Sequence, residues 1–473
     1  MHSDRKPATP WQRSVVYQNR GSIHGNQSFV QQFRSSNSKR FHVDESNERA
    51  ADVKQPERPK LSDIMGPGLI TGASDDDPSG IATYSQAGAQ FGYGLGWTLL
   101  LTYPLMCAIQ LISAQIGRVT GLGLAGNMRR HYPAPLLYLL VGLLLVANII
   151  NIGADLGAMA AALNLLVSGP ILVYVAIFAI FTVLLEVFMR YSRYASVLRW
   201  LTLSLFAYVA TVFAVEVPWS EVARNLVLPQ ISFSGDYLTV VVAVFGTTIS
   251  PYLFFWQASE EVEDEQEDPT ARPLILAPLQ APRQMARMQL DTIVGMGISN
   301  VIALFIMLTA AATLHANGVT DIQTSSQAAE ALRPIAGRFT FTVFAMGIIG
   351  TGLLALPVLA GSAAYALGEA LNWPVGLSQR PGRARAFYGT IAAATVVGAL
   401  LNFTPLDPIK ALFWSAVING VAAVPIMIMI MLIGSRRAAM GDFTLKPLLK
   451  ALGWLATAVM IAAAVGMFAA WGQ

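Results

Sequence analysis

The sequence predicts an all-α polytopic membrane protein, built as a five-plus-five inverted repeat with eleven transmembrane helices. Three observations predict it. Of 473 residues, 54% are hydrophobic and only 12% are charged, about half the charged share of an average soluble protein. With a mean hydropathy of +0.52, so little polar surface excludes a water-soluble multidomain enzyme. From residue 61 onward, apolar runs long enough to cross ~30 Å of hydrocarbon recur. Two of those runs, the first and the sixth, are interrupted by polar residues and proline.

The elements follow in chain order. Residues 1–60 are polar, with 11 Lys and Arg against 6 Asp and Glu. They lack the apolar core of a leader peptide and read as a disordered cytoplasmic tail. The spans fall near 62–93, 96–117, 135–166, 169–189, 197–217, 237–258, 290–314, 339–370, 386–403, 409–434 and 447–471. Residues 61–434 then form a ten-helix core, and 435–473 a loop and an accessory eleventh helix.

Charge placement tests this layout. With the tail inside, 27 basic residues fall on the cytoplasmic side, and only Arg224, Arg333, Arg338 and Lys410 fall outside. Each lies outside a span or, as with Arg199, Lys410 and Lys450, within the first four residues of one. This bias predicts a cytoplasmic N-terminus in an integral, multi-pass protein, placed in the inner membrane if the source is bacterial. The lone Cys107 excludes a disulfide framework or cysteine metal cluster. Five histidines in tail or loops argue against a histidine-ligated site in the membrane. The bilayer is the expected partner, with no nucleic acid and no cofactor, and a monomer is the expected state. Glu186 and Glu369, near span ends, read as interfacial.

Carboxylates in hydrocarbon are expensive and mark a pathway or site. The first span carries Gly72-Ala73-Ser74-Asp75-Asp76-Asp77-Pro78-Ser79-Gly80 at its middle. Proline removes a backbone donor and clashes with the preceding turn, and glycine eases departure from helical angles. Unwinding there frees carbonyl oxygens beside carboxylates, a hard-oxygen cage suited to a cation. The sixth span carries Thr247-Thr248-Ile249-Ser250-Pro251-Tyr252. Helices 1 and 6 each open a group of five. Paired interruptions at corresponding places in two halves point to an inverted-repeat transporter with a site at the midplane.

Gly66-Pro67-Gly68, the Asp77-Pro78 pair and Ala87-Gly88-Ala89-Gln90-Phe91-Gly92-Tyr93 resemble the first helix of the Nramp family of divalent-metal transporters. Gln110-Leu111-Ile112-Ser113-Ala114 and Gly117-Arg118-Val119-Thr120-Gly121 are similar to the end of its second helix. The likeness covers 61 to about 435. It implies the five-plus-five fold and transition-metal uptake, usually coupled to protons.

The chain also departs from that pattern. Where the family has Asp-Pro-Gly-Asn, this chain has Asp77-Pro78-Ser79-Gly80, keeping the carboxylate and losing the carboxamide. Where it has Met-Pro-His, this chain has Ser250-Pro251-Tyr252. Asp155 matches an acid of helix 3, while Ala158 replaces a glutamate. Ala416 stands at the glutamine of helix 10, with Asn419 one turn away as its substitute. Carboxylate, carbonyl, hydroxyl and water favour Mg²⁺, Ca²⁺ and Mn²⁺ over softer metals. These departures resemble the magnesium-transporting branch of Nramp-related proteins and imply Mg²⁺ or Mn²⁺ transport with weak or absent proton coupling.

The expected metal contacts are Asp77, Ser250, Ser74, Thr247, Asp76 and Gly80. Asp155, Tyr252 and Asn419 are assigned to the proton or ion pathway, and Pro78, Ser79 and Pro251 to the helix breaks. Asp75 is expected at the vestibule or on a backbone donor. Thr248 is expected either at the site or satisfying its own helix. The alternatives are a proton-coupled Mn²⁺ or Fe²⁺ symporter, a carrier of organic solutes such as amino acids, for which the three acids disfavour anions but not cations, a channel, and a membrane metal sensor or scaffold that does not transport.

Overall fold

The computed structural model describes residues 71–72, 74–188, 203–229, 231–405 and 407–471, all within one compact unit, Arg58–Gln473. The tail, Gly66-Pro67-Gly68, the start of the fifth span and Arg190, Arg193 and Arg199 lie outside these residues. Helical turns at 71–72 and 74–75 lead into α1 (Pro78–Phe91), a 3₁₀ turn at Gly92–Leu95, and α2 (Gly96–Thr120). Next come α3 (Leu124–His131), α4 (Ala134–Asn164), α5 (Ile171–Phe188), α6 (Phe206–Ala214) and α7 (Trp219–Val227). The middle of the chain forms α8 (Gly235–Thr248), α9 (Pro251–Glu267), α10 (Ala281–Thr313), α11 (Ser325–Glu330) and α12 (Arg333–Ala336). The remainder forms α13 (Thr340–Leu371), α14 (Arg385–Leu400), α15 (Pro408–Gly434), α16 (Arg437–Met440) and α17 (Pro447–Ala470).

Among the described residues, nine helical runs are long and apolar enough to cross a membrane, or ten with α6 and α7, which meet at a bend of 115°. The sequence count is eleven. The difference lies in the run Pro78–Thr120, whose 43 residues would extend roughly 65 Å as one straight helix, twice the hydrocarbon thickness. Gly92, at φ 57°, turns the chain between α1 and α2, so this run holds two of the predicted spans. The short helices α3, α7, α11, α12 and α16 sit where the sequence suggests only loops.

Local signals place the ends. Gly121 closes α2 at φ 66°, a left-handed angle that a side chain disfavours. Thr324 and Gln327 form a reciprocal capping box on α11, and Asp407 caps α15 ahead of Pro408. Glu369 corrects an expectation. Instead of facing the interface, its two carboxylate oxygens accept the Gly123 and Gly126 N–H groups, each at 2.9 Å. It thereby ties the end of α13 to the start of α3, satisfying donors that a helix N-terminus leaves open. Glu186 is likewise buried rather than interfacial.

At the centre, α4 packs against α13, α15 and α14, while α1 lies on α10, α8 on α15 and α9 on α2. Several of these contacts need glycine, two of them on the broken helices. A Cβ at Gly88 of α1 would collide with the Met307 carbonyl of α10, and one at Gly246 of α8 with the Ala416 carbonyl and Gly420 of α15. Small residues let membrane helices approach backbone to backbone. Both broken helices are thus clasped to their neighbours, α8 beside its break and α1 three turns beyond its own.

Candidate metal site

The first break is narrower than its sequence suggests. Among the described residues of the motif, only Asp76 and Asp77 leave the helix; Ser79 and Gly80 already belong to α1. Ser79 is therefore not a break residue, and the reason is local. Pro78 occupies the first helical position, where its missing N–H is harmless. Asp77 is the N-cap, and its Oδ1 accepts the Gly80 N–H at 2.7 Å and the Ser79 hydroxyl at 2.6 Å. The second break is of the same kind: Ile249 and Ser250 separate α8 from α9, and Pro251 starts α9.

The other carboxylate oxygen of Asp77 faces the bundle. Oδ2 accepts the Asn151 amide of α4 at 3.1 Å and the Tyr252 hydroxyl of α9 at 3.4 Å. That hydroxyl is also 3.3 Å from the Ser74 carbonyl. Asn151 Oδ1 in turn accepts from Ser415 of α15 at 2.7 Å. One carboxylate thus meets α4 and the start of α9 directly, and α15 through Asn151, all buried from solvent.

The three acids part company. Asp75 Oδ2 and Asp76 Oδ1 both turn to the Ser299 hydroxyl of α10, at 2.8 and 3.1 Å. Asp75 therefore meets a side chain rather than the backbone donor or vestibule expected for it. Asp76, expected at the metal, shares that serine on the α10 side. Consistent with this splaying, no three His, Cys, Asp or Glu side chains among the described residues converge to hold a metal ion. A cation here would meet one carboxylate, Asp77, and neutral oxygens.

The remaining predicted residues divide. Ser250 Oγ lies 2.8 Å from the Gly246 carbonyl and 2.9 Å from that of Thr247, so its proton serves the end of α8. Thr248 bonds the Val244 carbonyl of its own helix at 2.9 Å. Thr247 lies against Gly80, where a Cβ would come within 3.3 Å of its hydroxyl. Gly80 thus contributes an N–H to Asp77 and room beside Thr247. Asp155 is wholly buried, and neither oxygen has a hydrogen-bond partner among the described residues. Asn419, one turn beyond Ser415, is buried with both amide atoms unpartnered among the described residues. Sequence reasoning missed Asn151, Ser299 and Ser415. For Asn151 a signal existed, since Asn148, Asn151 and Asp155 recur at helical spacing along one face of an apolar helix.

Residues 68–470 match the family described as "Natural resistance-associated macrophage protein-like", Nramp. The chain belongs to the Nramp family. Among its relatives, the divalent metal cation transporter MntH of Yersinia pestis (strain Pestoides F) is 29% identical over 321 residues, 65% of this chain and 73% of the relative. That of Klebsiella pneumoniae (strain 342) is 26% identical over 432 residues, 89% and 95% of the two chains. The manganese transporter of Eremococcus coleocola, in complex with an aromatic bis-isothiourea substituted compound, shares the fold. Its TM-score is 0.67 at 19% identity, over 86% of this chain and 85% of that one. This Nramp chain is thus an all-helical membrane protein of the inverted-repeat class rather than an enzyme.

Proposed function

We propose that this Nramp chain carries a divalent metal cation across the membrane by alternating access, with Mn²⁺ as its cargo and Asp77 as the charged ligand. The observation that carries the reading is Asp77 itself, a buried carboxylate at a helix break, with Asn151 of α4 and Tyr252, just past the second break, presenting polar groups to one of its oxygens. The Ser74 carbonyl, Ser250 and Thr247 are the nearby oxygens proposed to complete the shell with water. The names of the MntH relatives support a divalent metal, and an oxygen-only donor set suits Mn²⁺. The same donors favour a second reading, Mg²⁺, supported by Gly80 and Ser250 standing where a carboxamide and a thioether would bind a softer ion.

Proton coupling is proposed to run through Asp155, a wholly buried carboxylate with no hydrogen-bond partner among the described residues, one turn from Asn151 on α4. Tyr252 and Ala158, in place of a histidine and a glutamate, support the opposing reading of uncoupled entry. In that case the membrane potential, about 2.3 kcal/mol per charge per 100 mV and doubled for a divalent ion, drives accumulation. The basic bias of the loops supports a cytoplasmic N-terminus. Flux of Mn²⁺ and Mg²⁺ into proteoliposomes, with internal pH recorded, tests the cargo, the coupling and the role of Asp77. Mn²⁺ entry with acidification, abolished in Asp77→Ala, is the expected result. Mg²⁺ entry without acidification would establish the second reading, and flux that persists in Asp77→Ala would overturn the site.

A further inference from the structure

Asn151 does more than hold Asp77 in place. Resting on the reading of Asp77 as the charged ligand, we propose that Asn151 is itself a cation ligand, supplying Oδ1 by a half-turn of its amide with Ser415 as the pivot.

The two ends of a carboxamide are chemically opposite, a donor N–H₂ and an acceptor oxygen, and a half-turn about the last side-chain bond exchanges them almost in place. In the present orientation Nδ2 donates to Asp77 Oδ2 at 3.1 Å, and Oδ1 accepts from Ser415 Oγ at 2.7 Å. The amide therefore offers its positive end where a cation on Oδ2 would sit. A cation reverses that preference, because it attracts the amide oxygen and repels the N–H₂ group.

The half-turn costs little only if the other end of the amide stays bonded, since a buried polar group without a partner is expensive. Ser415 meets this condition. Its Oγ is 2.7 Å from the Leu412 carbonyl as well as 2.7 Å from Asn151 Oδ1, and one hydroxyl proton serves one of them at a time. With Oδ1 toward Ser415, the proton goes to Asn151. With Nδ2 toward Ser415, the proton goes to the Leu412 carbonyl, and the hydroxyl oxygen accepts the amide N–H. Both orientations keep the Asn151–Ser415 bond without any backbone movement. The second donor on Oδ2 has a comparable outlet, because Tyr252 lies 3.3 Å from the Ser74 carbonyl. Apo and loaded states are thus both satisfied by residues already in place. Asn151 becomes the carboxamide ligand of a site whose first helix carries none at Gly80.

Calorimetric titration of Mn²⁺ into the purified full-length chain separates a ligand from a prop. Asn151→Leu removes both amide atoms and is expected to weaken binding at least tenfold. Asn151→Asp presents oxygen alone, needs no half-turn, and is expected to bind within threefold of the parent or more tightly. A prop acting through its N–H predicts the reverse, Asn151→Asp being as weak as Asn151→Leu, and that result would overturn the proposal. Ser415→Ala keeps both atoms of Asn151 but removes the pivot, and a three- to tenfold loss is expected; unchanged binding would also overturn it. Ser415→Ala decides the matter alone if Asn151→Asp does not elute as a monodisperse protein. Asp77→Ala distinguishes the two levels: retained Mn²⁺ binding there sinks the site itself, whereas its loss beside a weak Asn151→Asp sinks only the role given to Asn151.

Discussion

The Tyr252 hydroxyl lies 3.4 Å from Asp77 Oδ2 and 3.3 Å from the Ser74 carbonyl, so one phenol touches both sides of the break in the first helix. Tyr252 is the second residue of α9. The break of one repeat is therefore bonded by the helix that follows the break of the other, and a change at Asp77 is felt at the start of α9.

Replacing Asp77 removes the one charged ligand and a helix cap together. Asp77→Ala is expected to lose Mn²⁺ binding beyond calorimetric detection, and losing the cap costs about 1 kcal/mol of stability. Asp77→Asn, which still accepts at the cap, separates the two effects: it should keep the parent's melting temperature more closely while binding as poorly as the alanine variant.

Tyr252→Phe deletes the hydroxyl and keeps the ring. A buried hydrogen bond of this kind contributes about 1 kcal/mol, so the variant should melt slightly earlier in detergent. Because the phenol competes with a cation for Asp77 Oδ2, Mn²⁺ affinity should hold or improve. A loss of about a hundredfold would make Tyr252 a ligand instead.

At the far end of α9 a second linkage holds. Arg287 of α10 meets Glu261 at 2.6 Å and Asp264 at 3.2 Å, with Arg118 of α2 3.9 Å from Asp264. Glu261 is fully buried. Removing one partner of a buried pair leaves a charge unpaired, at a cost of about 3–5 kcal/mol. Arg287→Ala should therefore be much less stable than the parent, and Arg287→Ala with Glu261→Gln should regain most of the loss. A thermal-unfolding double-mutant cycle measures this, with additive losses as the contrary outcome.

Two glycine substitutions should move in opposite directions. At Gly246 of α8 a new Cβ meets the Ala416 carbonyl and Gly420, so Gly246→Ala should destabilise by roughly 1–3 kcal/mol through overpacking. At Gly142, inside α4, nothing lies within 4 Å of the same atom. Gly142→Ala should stabilise by roughly 0.5–1 kcal/mol, since alanine favours the helix. Paired melting curves decide it, and equal effects at both positions would remove the close-approach argument for α8.

Much of the frame is written in short stretches of chain. Among the described residues the apolar runs fall on helices long and apolar enough to cross a membrane, and the proline-centred patterns at Asp77-Pro78 and Ser250-Pro251 mark the two breaks. The width of the first break is not legible in the same way, because Ser79 and Gly80 disfavour helix by residue type. Their bonds to Asp77 instead make them the first turn of α1. Ser250 stands out by its place in the pattern, yet its hydroxyl serves the Gly246 and Thr247 carbonyls of its own chain. Glu369 looks interfacial because it lies near a span end, and only the approach of α3 gives its carboxylate two N–H groups.

The sequence by itself determined the membrane class, the paired breaks and the buried acid at the first of them. Each follows from composition or from neighbours a few residues apart, where proline geometry and the cost of charge in hydrocarbon act locally. Only the tertiary structure decided what surrounds that acid. Asn151 is 74 residues from Asp77, Ser299 is 224 from Asp75, and Ser415 is 264 from Asn151. A polar side chain buried in a membrane bundle must find its partner wherever packing brings one. That choice depends on how α4, α10 and α15 close around the break, and no local pattern contains it.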